Sequence, residues 1–186
     1  LDKDLLKNLV QNIDSVIHSA ALIKHYGSYN DFYKANVQTT INLLEFAKLT
    51  CKKDFHYIST ISVLMDGFVP NKKYYIFHED SDSDILQNRN NFYIQTKYLG
   101  ELEVIKFRKY GVKSNIFRVG NLFIHSTNYK NPEDFNHRSF FIKIKTILSL
   151  KVIPREFFEM EISPVDLTAL AIVKLFNKIE LSNNTY

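Results

Sequence analysis

A tyrosine and a lysine four residues apart, Tyr93 and Lys97, open a segment whose apolar residues recur at helical spacing. Side chains at i and i+4 share one helical face a turn apart, so the phenol and the ammonium point into the same space. A phenol with an unperturbed pKa of about 10 is a poor acid or base at neutral pH, and a nearby ammonium favours the phenolate and brings it toward the working range. The same ammonium could hold a ribose hydroxyl. Upstream, Ser59-Thr60-Ile61-Ser62 supplies hydroxyls that could hydrogen-bond a carbonyl oxygen on which negative charge develops, Thr60 by preference. On an extended strand Ser62 shares a face with Thr60, and Ser59 points the other way. The chemistry these residues suggest is proton transfer at a carbonyl. A tyrosine beside a lysine is common on helices, however, and often means only a half-exposed ring next to a solvated amine. The surrounding elements must decide.

Leu5, Leu6 and Leu9 mark one helical face within residues 1–12, and the pattern then changes to the compact run Asp14 to Ala21, which predicts a buried strand. Phe32, Val37, Ile41, Leu44, Phe46 and Ala47 predict a helix from about Tyr29 to Thr50, ending in the polar, basic Lys48 to Lys53. Phe55 to Val63 is dense in β-branched and aromatic residues and predicts a second strand. Residues 65–91 turn polar and acidic, with Gly67 and Pro70 as breakers, and predict a long loop insertion. Helical periodicity runs from Phe92 to Tyr110 and stops at Gly111, a C-cap position; Lys113 to Gly120 predicts a third strand. Further helices are expected at Ser139 to Leu150 and at Leu167 to Lys178, the last opened by Ser163 or the Pro164 turn.

Strand and helix alternate without a hairpin signal, which predicts βαβ units and an α/β fold with a parallel sheet flanked by helices. Ligands of open parallel sheets sit beyond the C-terminal strand ends. The residues leaving the strands are small or hydroxylated: Ser19, Ala20 and Ala21 after the first, Ser59 and Thr60 at the second, Gly120, Asn121 and Leu122 at the third. Such residues let backbone approach a flat ligand closely. Ala20, Ala21, Ser59, Tyr93, Lys97, Gly120, Asn121 and Leu122 are therefore the candidate cofactor-binding set, although Gly120 and Asn121 could equally do no more than end a strand.

Length and composition narrow the classes. At 186 residues and 45% hydrophobic content, one domain over residues 1–186 is the default. The 24 basic and 20 acidic side chains are scattered rather than gathered into a stripe, which argues against a nucleic-acid partner. The single cysteine, Cys51, allows no internal disulfide or thiolate cluster and fits a reducing, cytoplasmic setting. No apolar run reaches membrane-spanning length and the first residues lack a signal-peptide pattern, so neither a membrane association nor export is expected. His25, His56, His78, His125 and His137 show no ligand spacing, and the acidic group Glu79, Asp80, Asp82 and Asp84 lacks the glycine and terminal glutamate of a calcium loop; no metal is expected. His18 reads as a packed, hydrogen-bonded histidine, and Phe140, Phe141 and Ile144 as core rather than an acyl-binding surface.

The residues resemble the extended short-chain dehydrogenase/reductases, and among them the thioester reductase domains that terminate non-ribosomal peptide synthetases. Val16-Ile-His-Ser-Ala-Ala21 resembles the family's fourth strand and Ala35 to Ala47 its following helix, with Asn36 at the family's structural asparagine. Tyr57-Ile-Ser-Thr60 resembles the fifth strand with its catalytic hydroxyl, and Tyr93 with Lys97 the catalytic pair. Lys24-His25-Tyr26-Gly27, Arg118 to Leu122 and Ile162 to Asp166 are nearer to the thioester reductases than to sugar epimerases. The resemblance implies a Rossmann-like sheet, NADPH as cofactor with NADH not excluded, and a carrier protein whose phosphopantetheine arm delivers an acyl or peptidyl thioester for reduction to aldehyde or alcohol. It implies Thr60, Tyr93 and Lys97 as the catalytic residues and segments within 123–166 as part of the substrate region.

The departures are specific. Glycines 27, 67, 100, 111 and 120 form no G-x-x-G-x-x-G or G-x-G-x-x-G turn, and the family's first three strands have no counterpart. The chain is thus expected to be the central piece of a longer enzyme, weak in cofactor binding and inactive by itself. The competing readings are another extended family member acting on a nucleotide sugar or fatty acyl substrate, and a non-catalytic module that keeps only the fold.

Overall fold

The computed structural model describes residues 2–24, 26–49, 54–65, 78–79, 91–127, 139–152, 162–178 and 182–186. In chain order the elements are α1 Lys3–Asn12, β1 Ser15–His18, α2 Tyr29–Phe32, a π-helical segment Tyr33–Gln38, α3 Thr39–Lys48, β2 Asp54–Thr60, α4 Ser62–Met65, α5 Phe92–Arg108, β3 Ser114–Val119, β4 Leu122–Phe123, α6 Ser139–Leu150, β5 Ser163–Pro164 and α7 Val165–Phe176. They group into two compact units, residues 1–119 with 172–186, and residues 120–171. Most of the predicted loop 65–91, together with His25, Cys51 and His137, lies outside the described residues.

In the first unit three strands form a parallel sheet in the order β1-β2-β3, with Val16 opposite Phe55 and Tyr57 opposite Ile116. This is the parallel α/β architecture expected from the alternation of strands and helices, in the Rossmann-like form that the resemblance implies. Strand side chains alternate between faces. Phe55 and Tyr57 of β2 meet Leu44 and Ala47 of α3 and Val104 and Phe107 of α5, with Val112 and Ile116 completing one buried cluster. The other face carries His56, whose ring lies 4.4 Å from that of Phe176. Two of the helices in this unit begin or end on local signals. Ser28 caps α2 by accepting the Asp31 amide while its hydroxyl donates to the Asp31 carboxylate at 2.7 Å, a reciprocal arrangement of the capping-box kind. Asn91 caps α5 through the Ile94 amide, and Gly111, with φ of +84°, takes the left-handed position beyond its end.

The strands stop sooner than their apolar runs. β1 ends at His18, and four residues on the Asn36 side chain holds the backbone: Oδ1 accepts the Leu22 amide at 2.6 Å and Nδ2 donates to the Leu22 carbonyl at 3.1 Å. β2 ends at Thr60, whose Oγ1 accepts the Ser62 amide at 3.2 Å and starts the helical turn α4. Ser62 therefore does not continue an extended strand alongside Thr60, as alternation alone predicts. The chain returns to the sheet at its last residues. Thr185 bridges Ile116 in parallel, the Ile116 amide donates to the Asn184 carbonyl at 3.0 Å, and the Arg118 amide to the Tyr186 carbonyl at 2.8 Å.

The second unit pairs β4 with β5 in parallel, Leu122 opposite Ser163 and Phe123 opposite Pro164. Asp166, in the first turn of α7, accepts the Ser126 amide at 2.8 Å and the Ser126 hydroxyl at 2.6 Å. The Phe123 and Phe141 rings stack 5.1 Å apart, so Phe141 is a packing residue as expected. Phe140 lies outside the described side chains.

Candidate active site

The start of α5 is held against the end of β2 by apolar contacts: Val63 and Leu64 of α4 pack on Ile94 and Tyr98, with Tyr93 against the same cluster. That packing brings Tyr93 near Thr60, whose hydroxyl influences the phenol. Thr60 also accepts the Ser62 amide and donates to Ser62 Oγ at 3.2 Å. Burial pushes the Tyr93 phenol above its ordinary range, and the neighbouring Thr60 hydroxyl pulls it partly back. Tyr93 is accordingly a protonated phenol at neutral pH.

Lys97 occupies a different position from the one spacing suggests. Its Nζ donates to the Ile58 carbonyl at 2.6 Å and stands 3.9 Å from the centre of the Tyr57 ring, a charge-assisted hydrogen bond combined with a cation–π contact. Burial lowers its pKa to about 7, against a raising effect from the Glu101 carboxylate. The expected depression of the Tyr93 phenol by a nearby ammonium is not what results: burial raises its pKa, and the opposing influence comes from Thr60.

A polar network locks the helices under this pair. Asn36, displaced inward by the π-helical turn, donates to Thr96 Oγ1 at 2.9 Å as well as binding Leu22. Thr40 Oγ1 donates to the Asn36 carbonyl at 2.6 Å and meets His18 Nε2 at 2.9 Å; since its proton is committed to Asn36, His18 is the donor there. Burial, and behind it the Lys97 charge, lowers the His18 pKa to about 4, so the imidazole is neutral at physiological pH. Gly100 lets α5 approach β2: a Cβ there would overlap the Tyr57 hydroxyl and lie 2.9 Å from its Cζ.

The structure brings Thr60, Tyr93 and Lys97 into one neighbourhood at the C-terminal end of β2. Ala20 is exposed and Ala21 half-buried just past the end of β1, with no side chain larger than a methyl to cover the main chain there. This suits the close approach of a flat cofactor ring. Ser59 lies on the Tyr57 face of β2, buried, and its hydroxyl has no hydrogen-bond partner, so its side chain is not brought to the Thr60 side. Gly120, Asn121 and Leu122 belong to the second unit, where the Asn121 carbonyl accepts the Ser163 amide at 3.0 Å and Leu122 pairs in β4. Spacing did not single out Glu101 or Tyr57. A glutamate four residues beyond Lys97 was visible in the sequence, but its burial depends on Arg118 from a strand that arrives later in the chain. Among the described residues no group of His, Cys, Asp and Glu is placed to hold a metal ion, and no helix is long and apolar enough to cross a membrane.

Comparison with known proteins adds the following. A model of an NAD-binding family described as male sterility protein matches residues 1–172. The carboxylic acid reductase of Segniliparus rugosus is 27% identical over 189 residues, covering 90% of this chain and 15% of the relative. The terminal R domain of the myxalamid PKS-NRPS biosynthetic pathway superposes with a TM-score of 0.86 at 28% identity, covering 100% of this chain and 46% of that one. A thiolation-reductase di-domain from an archaeal non-ribosomal peptide synthetase gives 0.76 at 31% identity, covering 94% and 38%. The chain thus spans less than half of each of these proteins.

Proposed function

The chain belongs to the NAD-binding family described as male sterility protein, and from that premise we propose that it carries the proton-transfer part of an NADPH-dependent reductase acting on an acyl or peptidyl thioester. The thioester would arrive on the phosphopantetheine arm of a carrier protein. The observation that carries the reading is Tyr93 beside Thr60 at the end of β2, with Lys97 buried one turn along the same helix and bonded to the Ile58 carbonyl. Its support from relatives is that they include a carboxylic acid reductase and a thiolation-reductase di-domain.

When bound, the nicotinamide supplies a hydride to the thioester carbonyl carbon. The chain's own residues handle the oxygen. A raised phenol is the form that reduction needs, since Tyr93 must hold a proton until charge develops on the carbonyl oxygen and then release it there. Thr60 can turn its hydroxyl from Ser62 Oγ to that oxygen, exchanging one acceptor for a stronger, charged one. A cationic Lys97 stabilises the phenolate left on Tyr93. The product of hydride and proton addition then expels the thiol of the arm to give an aldehyde, which a second round takes to an alcohol.

The test is a substrate panel on the complete polypeptide with NADPH and NADH, using carrier-bound thioesters, free fatty acyl thioesters and nucleotide sugars. Consumption of NADPH with a carrier-bound thioester is expected, falling about 10²- to 10⁴-fold in Tyr93→Phe without loss of folding. Turnover of a nucleotide sugar alone would replace this reading with an epimerase-type one, and absence of cofactor binding would leave a non-catalytic module.

A further inference from the structure

Glu101 is fully buried on α5, one turn beyond the equally buried Lys97, and has a part that the three site residues do not cover. Arg118 of β3 holds it in a forked pair, Nη2 to Oε2 at 2.8 Å and Nε to the two oxygens at 3.2 and 3.3 Å. A buried ion pair is weak evidence for stability, because apolar residues of the same volume commonly serve as well. Retaining a carboxylate at such depth points to a use for its charge.

Lys97 leaves α5 one turn earlier on the same helical face, and both side chains are buried in the helix–sheet interface. Packed around Lys97 are Tyr57 of β2 through its ring, Tyr93 on its own helix, His18 of β1 across the Thr40 network, and Arg118 opposite through Glu101. Two of these are phenols kept protonated by burial, one is a neutral imidazole, and one is a cation. Glu101 is the anion of the set among the described residues. We propose that Glu101 is a positioning residue: its carboxylate, fixed by Arg118, keeps Lys97 an ammonium inside the helix–sheet interface so that Lys97 can stabilise the phenolate of Tyr93. The inference deepens the proposed function and rests on it for the role given to Lys97, while the link between Glu101 and the charge of Lys97 can be measured independently.

The measurement is an NMR titration of the protein labelled with ¹³C at lysine Cε, the Lys97 signal being assigned by its absence in Lys97→Arg. In Glu101→Gln, which keeps the size and one hydrogen bond to Arg118, the Lys97 midpoint falls by about one pH unit or more, a roughly tenfold smaller charged fraction above the midpoint. In Glu101→Asp, which keeps the charge, it stays within about half a unit of the unsubstituted protein. Thioester reduction by the complete polypeptide follows the same order, its pH profile moving with the Lys97 midpoint in Glu101→Gln and returning in Glu101→Asp. An unmoved midpoint in folded Glu101→Gln overturns the proposal. Should that variant fail to fold, Arg118→Gln decides: with the competing cation gone the Lys97 midpoint rises, and no rise overturns the proposal. A normal titration series with no thioester turnover would sink the functional reading and leave the electrostatic link standing.

Discussion

His18 shows how a residue near the site is tuned by its surroundings rather than by reactivity. It is 2% exposed, donates to Thr40, and has a pKa near 4 because desolvation disfavours the imidazolium and Lys97 repels it. A group whose folded pKa lies below its unfolded value of 6.5 contributes stability that is complete above that value and is lost as pH falls toward 4. Across that window the unfolded chain binds a proton that the native one refuses. The difference corresponds to about 3 kcal/mol by the usual conversion. Chemical denaturation between pH 7 and pH 4 should show the unfolding free energy declining by that order, and His18→Gln should flatten much of the decline. His56 adds to it in the same direction, since burial lowers its pKa as well, with Asp54 opposing. A decline of equal size in His18→Gln would mean that other groups dominate acid sensitivity.

At the scale of elements, the critical junction is where α5 crosses β2. Gly100 lies over the Tyr57 hydroxyl, and a methyl group there must displace either the ring or the helix. Gly100→Ala should cost about 1–3 kcal/mol despite the better helix propensity of alanine. Removing the obstructing hydroxyl in Tyr57→Phe should recover part of that loss, and a double-mutant cycle by thermal or chemical unfolding reads the coupling; additive effects would show that the helix moves away freely. This junction also explains what could be read beforehand. The helix at Phe92, the strand at Phe55 and the Tyr93–Lys97 spacing follow from periodicity, because they depend on neighbours in sequence. The path of the chain after β1 is held by Asn36 reaching back to Leu22, and the helical turn at Ser62 by Thr60 accepting its amide. Those are side-chain bonds that override the run of apolar residues. The position of Lys97 over Tyr57 was likewise hidden, since i, i+4 spacing says which face a side chain leaves from and not which neighbouring ring it meets.

For the molecule as a whole, the longest-range feature is the return of the C-terminal residues to β3, which no local pattern foretold. Residues 182–186 contain no run of strand-forming length. They are held by partners almost seventy positions earlier: the Ser114 amide donates to Asn183 Oδ1 at 2.9 Å and the Asn184 amide to Asn115 Oδ1 at 3.2 Å. Beyond these, the Tyr186 amide donates to the Ile116 carbonyl at 2.9 Å, and the Tyr186 ring stacks on Phe117 with centres 5.5 Å apart. The segment therefore satisfies the outer backbone groups of β3, which would otherwise form an open edge. It also lies against the same strand that supplies Arg118 to Glu101, so the edge and the buried ion pair share one support. Deleting residues 184–186 removes the carbonyl acceptors of the Ile116 and Arg118 amides. Hydrogen exchange at those two amides should accelerate at least about tenfold, corresponding to a loss of roughly 1.4 kcal/mol or more of local protection. The Phe55 amide, bonded inside the sheet to the Lys113 carbonyl at 2.8 Å, is the internal reference and should change far less. Equal acceleration at all three would show that the segment supports the whole unit rather than one edge. Unchanged exchange at Ile116 and Arg118 would show that solvent replaces Asn184 and Tyr186 without cost.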